Sequence, residues 1–193
     1  MIALWCGAAH AGPYLQIGTG HRPLDVPLTD TLFGGGGRLG WDFGPVAPFF
    51  GGTVTKGSLG FEEEDDLEIS GVLWSLMAGA RFDLVDQPDA VVPFLSAGVS
   101  FGRAAGLVEY TDDDEKYTAG LGAGPGLFGG FGVDAPLIPG VALGLEVGGH
   151  WATGELYYEE EYGRDDYEER YDVSAAFGYA DLHATFRFGG GGS

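Results

Sequence analysis

The sequence predicts an all-β fold: an eight-stranded antiparallel transmembrane β-barrel with short turns at one end and long acidic loops at the other. Three observations lead there. Three short proline turns, 44–48, 86–89 and 135–139, alternate along the chain with three acidic stretches, 61–68, 109–116 and 155–172. A chain whose successive connections are by turns short and long has two unlike ends, as a barrel spanning a membrane does. Between these markers, apolar residues alternate with small or polar ones, the period of a strand with two different faces. The third observation is glycine, at 37 of 193 residues, in the faces opposite the apolar ones. Small lumen residues leave room for large neighbours inside a narrow barrel.

The elements follow in order. Segment 1–11 is apolar and ends Ala9-His10-Ala11, a small-x-small site that reads as the remnant of a secretory signal. The barrel is expected over 12–188, and 189–193 is a Gly/Ser tail of flexible-linker composition. A first, weakly patterned strand spans Tyr14 to Gly20. Gly37 to Phe43 sets Leu39, Trp41 and Phe43 against Arg38, Gly40 and Asp42. A third strand covers Phe49 to Ser58. Val72 to Phe82 sets Val72, Trp74, Leu76, Ala78 and Phe82 against Ser75, Met77, Gly79 and Arg81. Val91 to Arg103 is the fifth. Gly120 to Val133 sets Leu121, Ala123, Leu127, Phe131 and Val133 against a nearly continuous row of glycines. Val141 to Ala152 alternates most cleanly, with Glu146 and His150 on its polar side. Ser174 to Phe188 sets Leu182, Ala184, Phe186 and Phe188 against Asp181, His183, Thr185 and Arg187. Pro93 and Pro125 belong near strand ends or a bulge, because proline cannot donate to a ladder. A soluble barrel of lipocalin type would need a charged exterior, and these glycine-rich faces cannot supply one.

Charge narrows the partners. The net charge is −20, and six, five and nine of the 29 acidic residues fall in the three acidic stretches. Disordered acidic chains lack aromatics, whereas this one has 13 Phe, 9 Tyr and 4 Trp. Nucleic acid is not an expected partner, since phosphate binding needs clustered Lys and Arg. The longest run without Asp, Glu, Lys, Arg or His, 117–133, is too short and too glycine-rich for a membrane helix.

The last strand, Asp181-Leu-His-Ala-Thr-Phe-Arg-Phe188, the segment Val92-Pro-Phe-Leu-Ser-Ala-Gly-Val99 and the stretch Phe131 to Glu146 resemble the small outer-membrane β-barrel proteins of Gram-negative bacteria, the OmpA/OmpX-like and opacity-type group. The resemblance runs over about 12–188. It implies a Gram-negative outer-membrane location, periplasmic short turns and extracellular acidic loops. It also implies that Leu182, Ala184, Phe186 and Phe188 form the signal read by the barrel-assembly machinery. The family's terminal aromatic is usually the last residue; here Gly189 to Ser193 follow Phe188.

Eight residues are expected to face inward as a lumen charge network: Arg38, Asp42, Arg81, Glu146, His150, Asp181, His183 and Arg187. Glu146 and His183 are expected within reach of one another, with Arg81 and Arg187 nearer the turn end. Ionic groups in a narrow interior must pair, so the network is read first as structural and second as a gate in a thin pore. No catalytic residue is assigned. His183 and His150, with Thr185 and Thr153 nearby, do not match the motifs of lipid-modifying barrels. In the acidic stretches Glu62, Glu63, Asp65, Asp112, Asp113 and Asp114 are weak metal candidates, because they lack EF-hand spacing. Loosely held Ca²⁺ or Mg²⁺ bridging to lipopolysaccharide is expected there, and no other cofactor. The stretch 155–172 interleaves five tyrosines with its charges, a composition suited to binding an extracellular protein. It also alternates well enough to extend the last two strands as a protruding hairpin. The function expected is non-enzymatic, structural or surface-interacting; a gated channel and, further off, a lipid-modifying enzyme are the alternatives.

Overall fold

The computed structural model describes residues 12–20, 22–23, 33–60, 68–85, 90–112, 115–121, 123–162 and 165–188. All of its regular structure is β, in ten strands: β1 (Gly12–Gly18), β2 (Arg22–Pro23), β3 (Phe33–Asp42), β4 (Val46–Gly60), β5 (Glu68–Asp83), β6 (Val92–Asp112), β7 (Glu115–Leu121), β8 (Gly124–Ile138), β9 (Val141–Tyr162) and β10 (Asp165–Arg187). Every pairing is antiparallel. The order β10-β1-β3-β4-β5-β6-β8-β9 closes on itself because β9 also pairs with β10. The result is a closed eight-stranded barrel. Strand β7 continues the β8 stave above Pro125, and β2 adds two residues to the free side of β10.

The break between β7 and β8 falls just before Pro125, where a missing N–H interrupts the ladder. Pro93 is likewise the second residue of β6. At the turn end, Gly44 adopts φ 94° and its N–H bonds Asp42 Oδ1 at 2.9 Å, while Gly140 after Pro139 adopts φ 79°. Only glycine takes these left-handed angles without strain. The turn 86–89 lies outside the described residues.

Two of the acidic stretches are largely strand, the first where a loop is expected and the second as the hairpin extension that its alternation allows. Residues 109–112 pair with 115–118, and 155–162 pair with 165–172, so these two connections narrow to 113–114 and 163–164. Their tyrosines, threonine and alternating charges suit a solvated ladder. Residues 1–11, 61–67 and 189–193 lie outside the described residues, and so do the readings made of them.

The alternation sets the two faces. Outside, Leu39, Trp41, Phe50, Val54, Leu76, Leu95, Val99, Leu127, Phe131, Leu143, Leu145, Val147 and Leu182 are all exposed, at 44–61%. They come from seven staves, so the apolar surface circles the barrel. In water a contiguous patch of that extent would be a liability; in lipid it is the solvent-facing surface. Along β9 the apolar face runs from Leu143 to Trp151, about 20 Å for tilted strands and close to the height of an outer-membrane apolar band. Aromatics mark its limits: Trp41, Phe43, Phe82 and Phe188 toward the turns, and Phe101 and Trp151 toward the long connections.

Inside, glycine makes room. A Cβ on Gly130 would meet Tyr179 Oη at 2.5 Å, one on Gly132 would strike the Phe94 ring, and one on Gly144 would strike Asp134 and His183. The glycine row of β8 is therefore the mould for large side chains projecting from β6, β9 and β10.

Candidate functional site: the lumen plug

Of the eight residues expected inside, Arg38, Arg81, Glu146, His150, Asp181 and His183 are buried, Asp42 and Arg187 are partly so, and all but His150 fall into two clusters. The upper one is centred on Glu146 of β9, which is fully buried. Arg38 of β3 crosses the lumen to it, with Nη1 donating to Oε2 at 2.6 Å and Nη2 to Oε1 at 3.3 Å. Ser96 of β6 and Tyr179 of β10 donate to the same Oε1 at 2.6 and 2.7 Å. The Arg38 guanidinium lies 4.8 Å from the Phe49 ring centre and 6.0 Å from that of Phe128. Four staves thus meet at one carboxylate, and apolar rings close the space around the cation. A buried charge is tolerable on these terms, because every oxygen of Glu146 has a donor.

The lower cluster is centred on Asp134 of β8. Arg81 of β5 donates through Nη1 to Asp134 Oδ2 at 2.7 Å and through Nε to Asp83 Oδ1 at 2.5 Å, and its guanidinium lies 3.8 Å from the Phe94 ring centre. His183 Nε2 meets Asp134 Oδ1 at 2.9 Å, and His183 Nδ1 stands 3.6 Å from Asp181. Arg187, nearest the turns, stands 3.7 Å from Asp42, Asp83 and Asp134. His150 belongs to neither cluster; its Nε2 lies 2.7 Å from Ser100 Oγ, higher in the barrel.

Glu146 and His183 are diagonal neighbours on adjacent strands, and the hydrogen-bond partner of His183 is Asp134. The β9–β10 register pairs Glu146 with Asp181 and His183 with Gly144, so His183 sits lower and turns to Asp134. Counting residues up from a turn ignores this stagger between neighbouring strands.

Asp134, Asp83, Ser96, Tyr179 and Phe128 also build the plug, and the sequence pattern singles out none of them. Asp134 and Asp83 fall one residue past the point where the apolar pattern of their strands stops. Each lies in step with inward positions before it, Gly132 and Arg81. Phe128 is hidden because the row around it reads as glycine. Tyr179 is two residues before Asp181 and faces inward with it.

Of the metal candidates, Glu62, Glu63, Asp65, Asp113 and Asp114 lie outside the described residues, and Asp112 pairs with Glu115 at the end of β6. Among the described residues, no group of three His, Cys, Asp or Glu is placed to hold a metal ion. The four residues of the expected assembly signal lie on the outer face of β10 and just beyond it, with Leu182 and Phe188 exposed at 61% and 52%.

The closed barrel of eight staves is shared with solved structures. A major outer-membrane protein from Thermus thermophilus superposes with a TM-score of 0.64 at 16% identity, covering 92% of this chain and 99% of that one. The fold is that of a small outer-membrane β-barrel. OprG from Pseudomonas aeruginosa matches with a TM-score of 0.59 at 11% identity, over 92% of this chain and 96% of its own. The outer membrane protein W of E. coli matches at 0.50 and 13%, over 92% and 98%. No protein-family model matches the chain, and neither does any curated protein sequence. At these identities the likeness concerns the barrel alone, which leaves the role to be argued from the lumen and the extensions.

Proposed function

We propose that this chain is a non-enzymatic protein of the Gram-negative outer membrane, structural or surface-interacting, that acts through its acidic, Tyr-rich extensions. The observation that carries this reading is the doubly plugged lumen. Two ion-paired clusters, each spanning several staves, stand in series between the ends. A barrel filled in this way is not built for free passage, so the part left for interaction is what projects beyond the apolar belt. There, β9 and β10 stay paired from Gly154 to Tyr162, well above Trp151. Tyrosine gives contact area at low entropic cost, and the acidic background favours a basic partner surface. Affinity with the OmpA/OmpX-like, opacity-type group, insertion by the barrel-assembly machinery and contact with lipopolysaccharide belong to the same reading. So does the bridging of the acidic connections by loosely held divalent cations.

The test replaces residues 156–171 with a short turn and compares adhesion of cells displaying either form to protein-coated surfaces. The shortened protein is expected to keep its barrel, seen as an SDS-gel mobility that shifts on boiling, and to lose adhesion. Unchanged adhesion would contradict the reading.

A second reading, a gated channel, has one observation in its favour: the upper plug hangs on a single arginine crossing from β3 to β9. If Arg38 swings aside the upper plug opens, conduction then needs the Asp134 cluster to part as well, and Glu146→Gln with Asp134→Asn would raise the frequency of conducting steps in a planar bilayer. A lipid-modifying activity fits less well, since Ser100 and His150 face the lumen, and the lipid A mass spectrum is expected to be unchanged on overexpression.

A further inference from the structure

The plug leaves a line of buried polar atoms along one wall without hydrogen-bond partners among the described residues. Tyr14 Oη and Gln16 Nε2 on β1, and His183 Nδ1 and Thr185 Oγ1 on β10, make no hydrogen bond there, and all four residues are at most 3% exposed. The two strands are direct neighbours: Gln16 pairs with Thr185, and Tyr14 with Arg187. Arg81 Nη2, from β5, is likewise without a partner among the described residues. A buried donor left unsatisfied is costly, so several side by side signal ordered solvent.

Two further features extend the line at either end. Above it, Gln16 lines a cavity of about 10 Å³ with Arg38, Thr53 and Asp181, on the long-connection side of Arg38. That is about the space of one water, with enough polar partners to hold it. Below it, Arg187 follows on the inner face of β10 and keeps 24% of its side chain accessible, which opens the line toward the turn end. Asp181, His183, Thr185 and Arg187 are alternate residues on the inner face of β10, spaced about 7 Å apart, a gap that one or two waters bridge.

We propose that the β1–β10 wall carries a file of water molecules, and that this file passes protons between the two ends of the barrel while the ion-paired plugs stay closed. A proton enters the file at one end and another leaves at the other, so nothing is oxidised and no side chain need change its net charge. The plug excludes hydrated ions, which cannot follow a single file of bound water.

The experiment uses the full chain in lipid vesicles loaded with a pH-sensitive dye, with valinomycin and K⁺ to clamp the potential, after an external pH step. Wild-type vesicles are expected to equilibrate several-fold faster than protein-free ones. The variant Gln16→Leu/Thr185→Val replaces both polar groups with apolar ones of similar shape and is expected to return the rate to near that of protein-free vesicles. Tyr14→Phe, which deletes a single hydroxyl, provides the same comparison should the double variant lose its heat-shifted mobility. A wild-type rate equal to that of protein-free vesicles, or a folded variant as fast as wild type, would overturn the proposal. Potassium current from the wild type in a planar bilayer would overturn it too, because an open pore carries protons without a file of bound water.

Discussion

Glu146 shows how a single side chain organises this lumen. It takes hydrogen bonds from Arg38, Ser96 and Tyr179, so its removal leaves a buried cation and two buried hydroxyls without their acceptor. Glu146→Gln is expected to destabilise the barrel by about 3–5 kcal/mol, the usual cost of breaking a buried pair on one side. Arg38→Met/Glu146→Leu removes both charges together and is expected to recover most of that loss; equilibrium urea unfolding in lipid measures both. Glycine is the complement of these large side chains. At Gly148 a methyl would strike the Gly129 carbonyl of the next strand and press on the Tyr179 ring, whose hydroxyl reaches Glu146. Gly148→Ala is expected to cost about 1–3 kcal/mol through overpacking, read from the same unfolding curves. The identities of these residues are open to sequence reasoning where alternation is clean, as at Arg38, Arg81 and Glu146. Their partners are not, because a partner across the lumen depends on stagger between strands, which no single segment records.

At the scale of the strand, the sequence reads well where the two faces differ in chemistry and poorly where they do not. Strand β9 alternates leucine and valine with glycine, glutamate and histidine, and its limits near the membrane follow directly. The sequence pattern ends strand β8 at Val133, because Ala135 to Pro139 reads as a turn, yet the ladder runs on to Ile138. Proline and an acid usually end a strand; here the acid is the hub of the lower cluster, and the register slips between Pro136 and Ile138. Strands β9 and β10 overrun their expected ends at the other side, since charge alone marks the loop and a charged hairpin can still pair in water. The outer face supplies a test of its own. Leu145 sits on the apolar face of β9 among Leu143, Val133 and Val147, and Leu145→Arg is expected to cost about 2–4 kcal/mol near the middle of the bilayer. An arginine that left stability in lipid unchanged would place that face outside the apolar band.

Taken whole, the molecule separates two tasks. A belt of exposed leucine, valine and aromatic residues fits the barrel to a membrane, and a charged interior fills it, so the wall and the plug share the same strands without sharing faces. The acidic connections carry most of the charge, and divalent cations would relieve their mutual repulsion and their repulsion from an anionic surface. Chelation is therefore expected to quicken protease cleavage within 61–67 and 113–114 while the barrel fragment survives; equal cleavage with and without chelator would argue against bridging. Everything proposed for the lumen depends on its closure by the Glu146 and Asp134 clusters. The most direct test of that closure is planar-bilayer recording of the folded, full chain. A flat baseline with no salt-dependent steps is the predicted result. Steady wild-type steps whose size grows with salt concentration would contradict it and make the chain a channel.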